Sequence, residues 1–146
     1  MILISHRGNI GGRIESYENE PNYIDLAISK GFDVEVDIWD IDGNLYLGHD
    51  KPTYNVEFGW FIDRINKIWV HCKNLESINT FNKNEYQFNY FWHETDTVTL
   101  TSRGYIWAYP GKQPIKNSIA VLPEINNDNT SECVGICSDF IMKYNL

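Results

Sequence analysis

Residues 34–50 read Val-Glu-Val-Asp-Ile-Trp-Asp-Ile-Asp-Gly-Asn-Leu-Tyr-Leu-Gly-His-Asp. Alternate side chains of a strand share one face, so we expect Glu35 and Asp37 to point away from the apolar residues between them. The turn-forming residues at 42–44 separate this run from a second apolar run that leads to His49. The stretch therefore predicts two strands that bring paired carboxylates and an imidazole together, as a metal-assisted acid/base site requires.

Strand and helix patterns alternate on both sides of this stretch until about residue 92. Apolar residues at helical spacing follow Asn19–Pro21, Thr53 or Asn55, and Asn74, and each of these sites is suited to the start of a helix. Asn19 is interpreted as a helix cap rather than as a substrate contact. Short apolar runs predict strands at residues 2–5, 32–39, 45–50, 68–70 and 88–92.

The second half of the chain has a different pattern. Strand patterns at 98–100, 105–109, 118–122 and 134–137 follow one another with no amphipathic segment of helix length between them. The chain as a whole predicts roughly seven to nine strands and about three helices.

The alternation in the first half predicts parallel strands, and about eight of them would close into a compact (β/α) TIM-type barrel. Barrels of this type usually have about 250 residues. In a chain of 146 residues, several outer helices must then be missing in the second half. Function in such barrels lies at the carboxyl ends of the strands. The residues that fall at predicted carboxyl ends include all four histidines and two acids: His6, His49, His71, His93, Glu124 and Asp139.

Length and composition predict one globular domain over residues 1–146, with 42% hydrophobic and 22% charged residues. The formal charge of −8 argues against a nucleic-acid-binding surface, which needs clustered basic residues. No apolar run approaches the ~20 residues of a membrane span, and the first apolar run is too short for a secretory signal, so we expect a cytoplasmic protein. Cys72, Cys133 and Cys137 fit reduced thiols better than a disulfide framework.

Four short motifs occur in order within the first 50 residues. They are His6-Arg7-Gly8, Glu18-Asn19 before a helix, Glu35-x-Asp37 and Gly48-His49-Asp50. In this order and spacing the chain resembles the glycerophosphodiester phosphodiesterase family, and more broadly the related phosphodiesterase barrels of the sphingomyelinase D type. Two later segments are similar to the family pattern: 70–73 lies where the family has a strand that ends Glu-x-Lys, and 134–139 resembles its closing Gly-x-x-Thr-Asp strand.

The resemblance implies a phosphodiester hydrolase of lipid metabolism that acts on a glycerophosphodiester-like or related small phosphorylated headgroup. Carried over by position, His6 and His49 are the catalytic acid/base pair. Arg7 and Lys73 are the corresponding contacts to phosphate, for which a planar guanidinium and a compact ammonium are both suited. A small-molecule phosphodiester is therefore the expected partner.

The resemblance also implies a divalent metal ion, Mg²⁺ or Ca²⁺ in the family, bound by Glu35 and Asp37. The third metal-binding acid of the family is replaced by His71 in this chain. Two carboxylates and an imidazole can still hold a divalent ion. Because imidazole nitrogen is a softer ligand than carboxylate oxygen, the replacement shifts the preference toward Mn²⁺ or Zn²⁺.

The same residues allow other interpretations. A shortened barrel without turnover would be a phosphate or sugar-phosphate binding module, and attack by a neighbouring substrate hydroxyl would make the protein a lyase that leaves a cyclic phosphate. Lys73 is either a phosphate contact or the counter-ion of the carboxylates. His93 is interpreted as a structural residue with satisfied hydrogen bonds. Association into a homo-oligomer is one way to cover an outer wall that lacks helices.

Overall fold

The computed structural model describes residues 1–145, whose ten β-strands form one curled sheet. The α-helices are α1 (Pro21–Ser29), α2 (Phe58–Ile62) and α3 (Leu75–Lys83), and short 3-10 helices span Glu15–Tyr17, Pro123–Ile125 and Ile141–Tyr144. The strands are β1 (Ile2–His6), β2 (Asp33–Ile41), β3 (Asn44–Leu47), β4 (Tyr54–Val56), β5 (Ile68–Cys72), β6 (Asn89–Trp92), β7 (Val98–Leu100), β8 (Ile106–Ala108), β9 (Ser118–Val121) and β10 (Gly135–Ser138).

Strand β2 is central to the sheet, because three other strands pair with it. β1 pairs in parallel with its first residues, and β3 pairs in antiparallel orientation with its last residues. β5 pairs in parallel with β2 from Val34 to Ile38. Parallel pairing joins the strands in the order β6-β5-β2-β1-β10-β9-β8, and antiparallel pairing adds β3, β4 and β7.

The predicted TIM-type barrel is wrong. The fold is a curled, mixed half-barrel, and the part of the chain described has only three α-helices, all in its first half or just beyond it. A parallel crossover needs about a dozen residues, whereas the connections on either side of β7 are residues 93–97 and 101–105. β7 therefore pairs in antiparallel orientation with β8.

The two ends of the curled sheet approach each other at β6 and β7. The Ser102 amide donates to the Tyr90 carbonyl at 2.8 Å, and the Thr99 hydroxyl donates to the Trp92 carbonyl at 3.0 Å. No strand ladder joins β6 to β7 anywhere in residues 1–145. The sheet thus encloses an interior without closing by regular strand pairing.

The two faces of the sheet carry separate hydrophobic cores. On the outer face, the β2 residues Val34, Val36 and Ile38 are fully buried in a cluster that includes Ile24 of α1 and Phe81 of α3. Because side chains alternate along a strand, Glu35 and Asp37 point to the inner face. The inner core is smaller and consists of Ile4, Trp69, Phe91, Trp107, Ile119, Val121 and Cys137.

The sequence predicted the start of α3 correctly but not the start of α2. The cap at Asn74 is confirmed: its side chain accepts from the Ser77 amide at 3.2 Å, and Ser77 Oγ accepts in return from the Asn74 amide. Neither Thr53 nor Asn55 caps α2, because residues 54–56 form β4 and the helix begins after Glu57. Asn55 thus belongs to an edge strand, and Thr53 directly precedes that strand.

None of the helices described within residues 1–145 is long and apolar enough to cross a membrane. All three cysteines are free thiols, and Cys72 and Cys137 are buried. Burial raises the pKa of the Cys72 thiol to about 12, so this thiol is uncharged at neutral pH.

Candidate active site

Strand register places four of the predicted site residues next to one another. β1 and β2 set His6 beside Glu35, and β2 and β5 set Asp37 beside His71. Since Glu35 and Asp37 share the inner face, the four side chains converge toward the carboxyl ends of three neighbouring parallel strands. All four residues are buried, with Glu35 2% and Asp37 0% exposed.

Asp37 is the centre of this cluster. Burial alone would raise its pKa, but hydrogen bonds with two histidines and the charge on Arg7 outweigh burial and hold the pKa of Asp37 well below its usual range. The side chain is therefore an ionised carboxylate inside the protein. Its contacts are Arg7 Nε and Asn19 Nδ2, each 2.9 Å from Oδ2, and His71 Nδ1, His49 Nδ1 and Lys73 Nζ, at 3.0, 3.3 and 3.8 Å from Oδ1.

His71 connects the carboxylates to the neighbouring strand end through both ring nitrogens. Nε2 lies 2.9 Å from the backbone oxygen of His93, which can only accept, so Nε2 carries a proton. Nδ1 lies 3.0 Å from Asp37 Oδ1 and 3.6 Å from Glu35 Oε1. Burial opposes the charged ring, but hydrogen bonds with these carboxylates and their charges raise the pKa of His71 to about 9. In the absence of a cation, His71 is an imidazolium at neutral pH.

His6 is held by an acid from the far end of the chain. Its Nδ1 lies 2.7 Å from Asp139 Oδ1, and Asn9 donates to the same oxygen at 2.9 Å. Burial would raise the pKa of Asp139, but its hydrogen bonds with His6 and Asn9 lower it, so the carboxylate is ionised and accepts the Nδ1 proton. His6 Nε2 lies 3.9 Å from Glu35 Oε2 and is left free for proton transfer.

Arg7 is fixed in both its backbone and its side chain. Its φ of 55° is in the left-handed region, which costs about 1–3 kcal/mol outside glycine and needs support from the surroundings. The Arg7 amide donates to the Glu35 carbonyl, and the Arg7 carbonyl accepts from the Asn19 amide, each at 3.0 Å. The guanidinium contacts Asp37 through Nε and donates from Nη1 to Glu18 Oε2 at 3.3 Å.

The prediction that Asn19 caps α1 is wrong. Glu20 takes the cap position and accepts from the Tyr23 amide at 2.8 Å. Asn19 has a φ of 64°, a region in which asparagine is more common than other non-glycine residues. Its side chain donates to Asp37 Oδ2 and accepts from the Asp37 amide, each at 2.9 Å. Asn19 is therefore a site residue that fixes the position of Asp37.

His49 reaches the cluster from the turn that follows β3. Gly48 donates its amide to the Asp37 carbonyl at 3.1 Å and has a φ of 151°, and a Cβ on Gly48 would overlap the Lys51 carbonyl oxygen. Only glycine fits this connection. His49 Nδ1 then lies 3.3 Å from Asp37 Oδ1 and Nε2 lies 3.4 Å from an Arg7 guanidinium nitrogen. The His49 side chain is 36% exposed, so it is in contact with solvent, unlike His6.

A cavity of about 290 Å³ lies over the cluster. His93, which the sequence suggested to be a satisfied structural residue, lines it and is 4% exposed, yet neither ring nitrogen makes a hydrogen bond. The backbone of Asp96 lies near the ring without a well-formed hydrogen bond. Burial lowers the pKa of His93, and its ring packs on Tyr109 with centroids 3.7 Å apart. Other lining residues are His6, Arg7, Glu35, His49, His71, Lys73, Glu94, Trp107 and Val121.

Every residue that the sequence assigned to the site is therefore brought together, with six lining the cavity and Asp37 buried in contact with four of them. Asn19 and Asp139 were not assigned to it. Asp139 showed the same signal as the assigned residues, since it follows a predicted strand. Its pairing with His6, 133 positions away, is not visible in any local pattern.

Glu35, Asp37 and His71 can hold a divalent cation, since each offers one donor atom and these atoms lie within 4.8 Å of one another. Glu35 Oε2 supports this fit, because it is a buried oxygen with no hydrogen-bond partner. Arg7 and Lys73 add positive charge on the same cavity. The arrangement is chemically able to bind an anion beside a cation and to exchange protons through His6 and His49.

Comparisons of the chain with protein-family models, with curated proteins and with solved structures found no match. The residues of the site are therefore the basis for a functional assignment.

Proposed function

We propose that the chain is a metal-dependent phosphodiesterase that cleaves a small phosphodiester by proton transfer through His6 and His49. The observation that carries the proposal is the placement of both histidines, each anchored by a carboxylate, around one cavity with a cation-binding donor set. Each feature alone has a structural explanation. Their combination fits a substrate that is anionic and needs one proton removed and one supplied.

Binding of the phosphodiester anion is assigned to Lys73 and Arg7. Lys73 has three N–H donors, and its ammonium is 3.8 Å from Asp37 Oδ1, so it has donors left for a ligand. Arg7 is more strongly engaged, with Asp37 and Glu18 on two of its nitrogens. We therefore assign the direct phosphate contact mainly to Lys73 and a fixed electrostatic contribution to Arg7. In a protein with a formal charge of −8, this local positive charge offsets the general repulsion of an anion.

A divalent cation held by Glu35, Asp37 and His71 would neutralise the phosphoryl oxygens of a bound diester. Asp37 keeps its position through Asn19, which contacts both its backbone amide and its carboxylate. The buried setting strengthens every charge interaction at this point, because the effective dielectric constant is lower than in water.

His6 is assigned as the general base and His49 as the general acid. Asp139 accepts the Nδ1 proton of His6, so Nε2 is free to take a proton from an attacking water, and the ionised Asp139 stabilises the imidazolium that results. His49 lies at the open side of the site and can give a proton to the leaving alkoxide and regain one from solvent. Transfers of this kind contribute about 10²- to 10⁴-fold each.

The proposal is tested by incubating the purified chain with simple phosphodiesters and Mg²⁺, Ca²⁺, Mn²⁺ or Zn²⁺ and following products by phosphorus NMR. We expect a phosphomonoester, and a loss of at least about 100-fold in rate for His6→Ala and for Glu35→Gln. Glu132→Gln, which changes an exposed carboxylate away from the site, is the matched control. Activity that survives both site substitutions, or no cleavage of any diester, would overturn the proposal. A cyclic phosphate product would replace hydrolysis by the lyase reaction.

A further inference from the structure

The three donors in the floor of the cavity are not all oxygen. Glu35 and Asp37 each contribute carboxylate oxygen, and His71 contributes an imidazole nitrogen within 4.8 Å of both. All three side chains are more than nine-tenths buried, so none is a solvated surface group. A cation at this point would exchange up to three of its water ligands for these donors.

A second observation, independent of the clustering, indicates that these donors lack a ligand: one carboxylate oxygen among them has no partner. Glu35 Oε2 is buried and has no hydrogen-bond partner, although Glu35 lines the cavity. A buried polar atom without a partner is destabilising, and more so when it is charged. His6 Nε2, at 3.9 Å, is too far to satisfy it. A cation that binds this oxygen would remove the penalty.

The donor atom of His71 is set by its other nitrogen. Nε2 donates to the backbone oxygen of His93 at 2.9 Å, which leaves Nδ1 directed at Glu35 and Asp37. Nδ1 must release its proton to solvent when it binds a cation. Histidines that bind metals usually donate their second N–H to a carbonyl or a carboxylate, which fixes the ring and the tautomer. The contact comes from the main chain of the neighbouring strand end, so the side chain at residue 93 does not determine it.

Charge alone gives a hard cation little advantage at this site. Asp37 is already paired with two fixed cations, since Arg7 Nε lies 2.9 Å and Lys73 Nζ 3.8 Å from its oxygens. Asp37 Oδ2 is further engaged by Asn19 at 2.9 Å. Ca²⁺ takes about six to eight oxygen ligands, and Mg²⁺ takes a near-octahedral shell of oxygen ligands. This cluster leaves too few free carboxylate oxygens for the protein shell that Ca²⁺ prefers, and Mg²⁺ would have to keep much of its shell as water.

We infer that the site selects Zn²⁺ and Mn²⁺ over Mg²⁺ and Ca²⁺, with His71 Nδ1 as the selecting donor. Imidazole nitrogen binds borderline first-row ions more strongly than hard ions of the same charge, and Zn²⁺ lies above Mn²⁺ in the usual order of affinities. The inference concerns the same site as the proposed phosphodiesterase and rests on the metal dependence included in that proposal. Metal binding can nevertheless be measured without any turnover.

The experiment is isothermal titration calorimetry of the chelator-treated chain with each of the four ions at one pH, supported by thermal melts. Zn²⁺ and Mn²⁺ should bind at least about tenfold more tightly than Mg²⁺ and Ca²⁺. His71→Glu, which restores an all-oxygen donor set, should weaken Zn²⁺ binding by on the order of tenfold or more and reduce or reverse the preference. Glu35→Gln should weaken all four ions together, and the control Glu132→Gln should change none.

The wild-type ranking alone can overturn the inference, so the test does not depend on whether His71→Glu folds. Equal or tighter binding of Mg²⁺ or Ca²⁺, or a Zn²⁺ affinity that His71→Glu leaves unchanged, would overturn it. Different results would refute the proposed function and the metal preference. Selective Zn²⁺ and Mn²⁺ binding with no cleavage of any diester would refute the phosphodiesterase and leave the metal site standing. Diester cleavage together with equal or tighter binding of Mg²⁺ would do the reverse.

Discussion

His71 Nδ1 lies 3.0 Å from Asp37 Oδ1 because β2 and β5 pair in parallel with these two residues at the same register position. The pairing places a titratable ring directly against a fully buried carboxylate. A slip of one residue in this register would turn one of the two side chains to the outer face. The strand pairing that builds the sheet thus also determines which groups can share a proton or a cation.

This contact makes the stability of the metal-free protein depend on pH. The folded-state pKa of His71 is about 9, above the unfolded value of ~6.5. The stabilisation is therefore fully present below pH ~6.5 and is lost as the pH rises through 9. At about 1.4 kcal/mol per pKa unit, the upper limit is about 3 kcal/mol.

Denaturant unfolding with a chelator present, at pH 6 and at pH 9, measures this loss. His71→Gln cannot titrate at this position and should lose less stability over the same interval. An equal loss in the variant and in the wild type would contradict the prediction.

The contact between His6 and Asp139 predicts a positioning role for the acid. Asp139→Asn keeps the shape of the side chain but removes the charge that stabilises protonated His6. We expect kcat to fall about ten- to a hundredfold with little change in KM, because the substituted group does not touch the substrate.

Glu124→Gln is the matched control for Asp139→Asn. Glu124 accepts from Ser138 Oγ and from the Asp139 amide but makes no contact with His6. Its substitution should leave kcat close to the wild-type value. Equal losses of kcat in the two variants would show that the effect is a general change of charge rather than the loss of the His6 contact.

Local patterns predicted which residues converge better than they predicted the architecture that carries them. Alternation around Glu35 and Asp37 indicated a shared face, and the sheet register brings both beside histidines. The ends of parallel strands converge in a half-barrel as they do in a full barrel. The site residues were therefore predictable even though the TIM-type barrel was wrong.

The remaining features depend on contacts between distant segments. The antiparallel direction of β7 follows from connections too short for a helix, although its apolar pattern is that of any short strand. Asn19 has the residue type of a helix cap, and only its backbone conformation and its distance to Asp37 show that it holds the site instead. Neither feature is encoded by hydrophobic periodicity.

His93 should tolerate replacement by an apolar ring. Its two ring nitrogens are buried without hydrogen bonds, and each such atom costs about 1–3 kcal/mol. His93→Phe should therefore keep the stability of the wild type or raise it by about 1 kcal/mol, as measured by thermal or denaturant unfolding. His6→Phe is the contrasting variant and should destabilise, because it leaves the ionised Asp139 without its partner. A loss above about 1 kcal/mol in His93→Phe would show that the ring makes a hydrogen bond in solution.

The division of roles between His6 and His49 predicts that the rates of the two alanine variants depend differently on the leaving group of the substrate. A p-nitrophenolate leaves without being protonated, whereas a simple alkoxide needs a proton in the transition state. His49→Ala should therefore cleave an alkyl diester about 100-fold or more slowly than the wild type and a p-nitrophenyl diester at nearly the wild-type rate. His6→Ala should be slow on both, because water must lose a proton in either reaction. Steady-state rates on the two substrates decide the assignment. The two roles would be exchanged if His6→Ala cleaved the p-nitrophenyl diester at nearly the wild-type rate and His49→Ala did not.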